Sequence, residues 1–127
     1  MGDADEETLK ILNKFSHYIG IAYQIKDDLS DYQGGKGDIE VRKFSILLSL
    51  LFEKVTSAEK ANLLHVAEMN GSKTVFELIN QYQIEKETIR LLKEYIRNAK
   101  NVLDNFRNIG LKLALHEILG KTFKDYI

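Results

Sequence analysis

No proline occurs in the 127 residues of this chain, and that absence limits its fold more than any other feature. Proline interrupts an α-helix because it lacks a backbone donor and clashes with the preceding turn. With 44% hydrophobic residues, uninterrupted helices also have enough apolar surface to bury a core. The length fits one domain. We therefore expect an all-α helical bundle in which residues 1–127 form a single domain.

Apolar residues recur at helical spacing through the first half of the chain. The first predicted helix covers residues 5–32, with apolar positions three, four or seven apart. These positions are Leu9, Leu12, Phe15, Ile19, Ala22 and Leu29. Three glycines in residues 34–37 predict a loop. The next predicted helix covers residues 39–54 and is so apolar over residues 44–52 that we expect it to be buried on every side.

The second half of the chain contains further helix signals. Residues 56–59 form a capping-box sequence that opens a third helix, and Ser72 is expected to cap a fourth. Residues 84–107 keep a continuous apolar stripe, which predicts a long amphipathic helix. Residues 108–110 are expected to end that helix, and residues 111–126 then form a last amphipathic helix that closes the bundle.

Charge and composition exclude several classes of function and location. Eighteen basic and nineteen acidic residues leave a net charge of -1, so no global charge favours nucleic acid or an anionic membrane. The absence of cysteine excludes disulfides and cysteine-bound metals and fits a reducing compartment, so we expect the cytoplasm. Residues 44–52 are far shorter than the roughly 20 residues of a membrane span. The acidic start of the chain is no secretory signal peptide, and we expect a soluble protein.

Three carboxylates near the end of the first predicted helix, Asp27, Asp28 and Asp31, form an Asp-Asp-x-x-Asp sequence. Positions 27 and 31 lie one helical turn apart, and Gln24 lies one turn earlier. Hard oxygen ligands at this spacing suit Mg²⁺, which binds one or two carboxylates and takes waters and substrate phosphates as its other ligands. Carboxylates near a helix C-terminus are otherwise unfavourable by roughly 0.3 to 1 kcal/mol. The alternative interpretation is a solvated acidic helix end.

Other residues could support or replace such a site. Lys36 and Lys43 follow the acidic segment and could contact phosphate oxygens. The glycine loop is not a P-loop, because Gly37 follows Lys36 where serine or threonine is needed. The segment is not an EF-hand either, because Leu29 occupies a ligand position. The three histidines, His17, His65 and His116, lack metal-site spacing, and we interpret them as surface or core residues.

Taken in order, residues 20–31 resemble the second aspartate-rich motif of the trans-isoprenyl diphosphate synthases, the polyprenyl synthetase family. Tyr23 stands where that motif usually has phenylalanine. Residues 35–39 and 42–45 resemble the downstream lysine-bearing segment of farnesyl-type members. The resemblance covers residues 19–48, and the rest of the chain agrees only in being helical.

This resemblance implies the C-terminal part of the isoprenoid-synthase fold and a Mg²⁺-dependent prenyl transfer. It implies that Asp27, Asp28 and Asp31 bind Mg²⁺ bridging to the diphosphate of an allylic isoprenoid, as catalytic groups. The residues implied to contact that substrate are Gln24, Lys36, Lys43 and Tyr23, with Asp38 as a weaker addition. Isopentenyl diphosphate would be the second substrate in a full-length parent, and the family usually forms homo-oligomers.

The sequence departs from the family in one major respect. The family has a first aspartate-rich motif in an N-terminal half, whereas Asp27 and Asp28 form the one Asp-Asp pair of this chain. We therefore expect a C-terminal half that is inactive alone, with product chain length left open. Two alternatives remain at this point. One is a non-catalytic helical subunit or interaction module of the same fold, and the other is a fragment of a pheromone-peptide isoprenyl transferase.

Overall fold

The computed structural model describes residues 2–34, 45–68 and 72–127. Within those ranges the long regular elements are all α-helices, which confirms the all-α prediction. They are α1 (Gly2–Gly34), α2 (Ser45–Lys54), α3 (Ser57–Glu68), α4 (Ser72–Gln81), α5 (Ile84–Leu103) and α6 (Ile109–Thr122), followed by one 3₁₀ turn (Lys124–Tyr126). None of the helices in these ranges combines the length and the apolar character that a membrane crossing requires.

The helices belong to two compact units. One unit is Ile25–Arg90, which holds the end of α1, all of α2, α3 and α4, and the beginning of α5. The other unit combines Met1–Gln24 with Leu91–Ile127. Helices α1 and α5 each contribute residues to both units. The assignment of residues 1–127 to a single domain stays a prediction.

One side of α1 carries the buried residues Phe15, Ala22, Ile25 and Leu29. The prediction that Leu9 shares this buried stripe is wrong, since Leu9 is 58% exposed. Successive residues of an α-helix are rotated by about 100°, which puts Leu9 about 120° around the helix from Phe15 and about 140° from Ala22. The predicted stripe, which advances mostly in steps of three residues, therefore winds around α1 and leaves Leu9 off the buried side.

Unit Ile25–Arg90 is built around one apolar cluster. Its fully or nearly buried members are Leu47, Leu51, Val55, Leu63, Val75, Ile79 and Ile84. Helix α4 contacts both α2 and α3, so its apolar face supplies the centre of this cluster. The expected burial of α2 on every side is wrong, because Leu48, Leu50 and Phe52 pack against the cluster while remaining partly exposed.

The second unit has the core that the long apolar stripe of α5 predicts. Its buried residues include Leu92, Ile96, Ala99, Leu103, Phe106, Leu119 and Phe123. Helix α5 ends at Leu103, a turn earlier than expected. Asn108 begins α6 instead of ending α5, because its side-chain oxygen accepts a hydrogen bond from the Leu111 N–H at 3.1 Å.

The predicted capping box at the start of α3 is confirmed. The Thr56 hydroxyl oxygen accepts a hydrogen bond from the Glu59 N–H at 3.2 Å, and Glu59 Oε1 accepts one from the Thr56 N–H at 3.1 Å. Tyr82 also donates its hydroxyl to Glu59 Oε1 at 2.7 Å. The hydrogen bond from Tyr82 is the larger cause, and the one from the Thr56 N–H the second, of a lowered pKa of Glu59. The bond between Tyr82 and Glu59 also raises the pKa of Tyr82.

We expect Glu59 to make the stability of the protein depend on pH. A lowered folded-state pKa stabilises the folded chain above the ordinary value of 4.5, and that contribution is lost as pH falls through the folded-state pKa. The difference in free energy of unfolding between wild type and Glu59→Gln should therefore be largest near neutral pH and disappear in acid. Urea unfolding at several pH values measures it, with Glu53→Gln as the matched exposed control. A difference that stays constant with pH contradicts the assignment.

Candidate functional site

The predicted acidic motif lies on the last turns of α1, in the unit Ile25–Arg90. The side chain of Asp27 is exposed, whereas those of Asp28 and Asp31 are half-buried. The neighbouring Ile25 and Leu29 are fully buried, so the core holds this segment firmly. No basic residue occupies the last turn of α1, and three carboxylates therefore stand near the negative end of the helix dipole.

Asp28 makes a contact that the sequence pattern did not reveal. Its Oδ2 accepts a hydrogen bond from the backbone N–H of Ile46 at 2.9 Å, in a partly buried position. Ile46 is the second residue of α2, and the first N–H groups of a helix have no partner inside the helix. Asp28 therefore caps α2 from another helix. Eighteen residues separate the two partners, so no local sequence signal could have shown the contact.

The donor set of the acidic motif suits a magnesium ion, although the carboxylates do not form a closed cage. Across residues 2–34, 45–68 and 72–127, no three His, Asp or Glu side chains converge in a way that could hold a metal. A Mg²⁺ ion ordinarily needs one or two protein carboxylates and completes its shell with water and substrate phosphates. Exposed and half-exposed aspartates fit that requirement. The histidines His17, His65 and His116 belong to no metal-binding group either.

The other predicted substrate contacts have different surroundings. Tyr23 is 49% exposed, and its ring meets the Phe123 ring edge to face with 6.0 Å between centroids. Gln24 is exposed on α1. Both residues belong to the unit of Met1–Gln24 and Leu91–Ile127. Lys36, Asp38 and Lys43 lie outside the described residues, so their predicted roles stay predictions.

A cavity of about 440 Å³ opens in the unit Ile25–Arg90, next to the end of α1. Its lining comprises Tyr32, Ile79, Asn80, Gln83, Glu85, Lys86 and Ile89. The ring of Tyr32 stacks on the Phe76 ring with 5.2 Å between centroids. Gln83 takes a left-handed backbone angle, φ 54°, at the turn between α4 and α5. The volume lies within the range of small-molecule sites.

Two ionic or polar contacts connect the start of α5 to other helices. Gln33 Nε2 at the end of α1 donates a hydrogen bond to Glu85 Oε1 at 3.0 Å. Lys54 at the end of α2 forms an ion pair with Glu87. Negative charge is favourable at a helix N-terminus, which suits both glutamates. These contacts place Glu85 beside Tyr32, where burial first and the charge of Glu85 second raise the pKa of the Tyr32 hydroxyl.

We expect Glu85→Gln to lower the pKa of Tyr32 while leaving it above the ordinary value of 10.0, because burial is the larger cause of the shift. Titration of the tyrosine rings by NMR measures this, with Tyr32→Phe identifying the resonance. Glu77→Gln, which removes an exposed charge from α4, is the control. The assignment fails if Glu85→Gln leaves the pKa of Tyr32 unchanged or returns it fully to 10.0.

Comparison with known proteins gives one family. The model of the polyprenyl synthetase family matches residues 1–85, which is more than half of the chain. No curated protein and no solved structure matches the chain. The matched range includes the acidic end of α1, the whole of α2 and the segment that carries the two predicted lysines.

Proposed function

Because the chain belongs to the polyprenyl synthetase family, we propose that it takes part in transferring an allylic isoprenyl group to isopentenyl diphosphate. At the level of the family, it is a transferase of the trans-prenyl type that acts on isoprenoid diphosphates. The finer assignment is that this chain supplies the C-terminal, metal-binding half of such an enzyme. We also propose that the protein forms a homo-oligomer and lies in the cytoplasm.

The observation that best supports this function is the family match over residues 1–85, a range that contains all three aspartates of the acidic motif. The match favours this function over an acidic helix end on an unrelated bundle. The all-helical structure of the described residues agrees with the family as well. The site chemistry adds hard oxygen donors that water and diphosphate can reach, because Asp27 is exposed.

In this proposal, Asp27, Asp28 and Asp31 provide the carboxylates for Mg²⁺, which when bound neutralises the negative charge of a diphosphate leaving group as a Lewis acid. The aspartates bind and orient that charge, and burial of Ile25 and Leu29 keeps the helix segment in place. The preorganised segment then needs little rearrangement when the ligand binds.

The remaining proposed contacts act on the two ends of the allylic substrate. Gln24 is an exposed amide that can donate to a diphosphate oxygen, and Tyr23 offers a half-exposed ring to the isoprenoid chain. Lys36 and Lys43 are proposed cationic contacts of the diphosphate. Lys43 precedes Ile46, the donor to Asp28, by three residues in the sequence.

Calorimetric titration of farnesyl diphosphate into the chain, with and without Mg²⁺, tests this function. We expect binding that requires Mg²⁺ and that weakens by at least roughly tenfold in Asp27→Asn, because the variant replaces a charged ligand by a neutral amide of the same size. Asp125→Asn, an exposed aspartate in the 3₁₀ turn, is the matched control and should bind like wild type.

Two results would contradict the proposal. One is Mg²⁺-dependent binding that Asp27→Asn leaves unchanged, since the diphosphate would then bind elsewhere. The other is the absence of binding by a wild-type chain whose circular dichroism spectrum is fully helical.

A further inference from the structure

We infer that α5 and residues 126–127 form a binding site for a phosphate monoester that carries a short aliphatic group. The site is a cavity of about 320 Å³ in the unit of Met1–Gln24 and Leu91–Ile127. All of its lining residues lie beyond the range 1–85 that matches the polyprenyl synthetase family, so the site is independent of the function proposed above. The lining comprises Lys93, Ile96, Arg97, Lys100, Tyr126 and Ile127.

Three basic residues of the cavity lie on one side of α5. Lys93, Arg97 and Lys100 follow each other at intervals of four and three residues, and side chains at these intervals are neighbours on a helix surface. Lys93 and Arg97 are exposed, and Lys100 is half-buried. Like charges at such spacing destabilise a helix slightly because they repel each other. A bound anion would remove that repulsion.

These three cations have no anionic partner within residues 2–34, 45–68 and 72–127. Each ion pair in those ranges uses another basic residue, namely Lys54, Arg107, Lys112 or Lys121. Glu94 follows Lys93 directly, but it is rotated by about 100° around the helix and does not line the cavity. A cavity lined by charges of one sign concentrates their field and attracts ligands of the opposite sign. The ligand is therefore an anion.

The combination of arginine and lysine favours phosphate over a carboxylate. The guanidinium of Arg97 can donate two parallel N–H bonds to two phosphate oxygens, whereas each lysine contributes a compact charge. A phosphate monoester carries about 1.5 to 2 negative charges at neutral pH. It therefore balances more of the charge of three cations than a single carboxylate does.

The other lining residues determine what the phosphate carries. Ile96 is buried, Tyr126 is half-buried and Ile127 is 56% exposed. Aliphatic carbon that is removed from water against these side chains contributes hydrophobic stabilisation. The volume is at the lower end of the range of small-molecule sites, so it favours a short aliphatic group over a farnesyl chain.

NMR titration of the full chain with hexyl phosphate and with inorganic phosphate tests the site. The titrations contain EDTA, so the acidic end of α1 cannot contribute through Mg²⁺. We expect hexyl phosphate to bind at least roughly tenfold more tightly than inorganic phosphate, because only the ester buries apolar carbon. Ile127→Ser should weaken the binding of hexyl phosphate by about threefold and leave that of inorganic phosphate unchanged.

Variants of Arg97 separate its charge from its hydrogen-bonding geometry. Arg97→Gln should weaken the binding of hexyl phosphate by about tenfold, whereas Arg97→Lys, which keeps the charge but loses the paired donors, should weaken it by about threefold. Lys93→Gln changes a second exposed cation and should also weaken binding. Arg107→Gln is the matched control, because Arg107 lies in the same unit but does not line the cavity. Circular dichroism checks that each variant is as helical as wild type.

Three results would overturn the inference. The first is a folded wild-type chain that does not bind hexyl phosphate. The second is an equal loss of affinity in Arg97→Gln and Arg107→Gln, since binding would then follow the overall charge. The third is equal affinity for hexyl phosphate and inorganic phosphate, since the apolar residues would then take no part. None of these results changes the Mg²⁺-dependent binding of farnesyl diphosphate, so failure of this site is distinguishable from failure of the proposed function.

Discussion

The backbone N–H groups at the start of a helix must find partners outside the helix, and in this protein that requirement accounts for several of the contacts that define the structure. Thr56 and Asn108 satisfy it for α3 and α6 by accepting bonds from amides three residues later. Asp28 satisfies it for α2 from a distance of eighteen residues, by accepting a bond from Ile46. The two local caps determine where a helix begins. The distant cap also determines which part of α1 lies beside α2.

Apolar packing and these polar contacts have different effects in the unit Ile25–Arg90. The cluster around α4 supplies the main stabilisation, since it buries Val55 and six apolar side chains of helices α2 to α5. Burial alone tolerates small shifts of one helix along another. The bonds of Asp28 to Ile46 and of Gln33 to Glu85 connect the end of α1 to α2 and α5 at particular atoms, so they restrict such shifts.

The acidic end of α1 combines one stabilising contact, the bond of Asp28 to Ile46, with an unfavourable placement of charge. Its carboxylates stand at the unfavourable end of a helix dipole, and the last turn of α1 has no basic residue to offset them. A bound cation would relieve that repulsion. Membership of the polyprenyl synthetase family provides the chemical context, because the substrates of that family carry diphosphates whose charge a magnesium ion can bridge to carboxylates.

The sequence by itself determined the helical class, the motif at Asp27, Asp28 and Asp31, and the capping box at Thr56, because each depends on residues within a few turns of one another. Local spacing failed for Leu9, because steps of three residues wind around the helix and leave Leu9 on a different side from Phe15 and Ala22. Only the tertiary structure decided that Asp28 contacts Ile46 and that α2 is covered unevenly. Both depend on which distant segments pack together. The spacing of residues along one helix carries no information about which other helix packs against it.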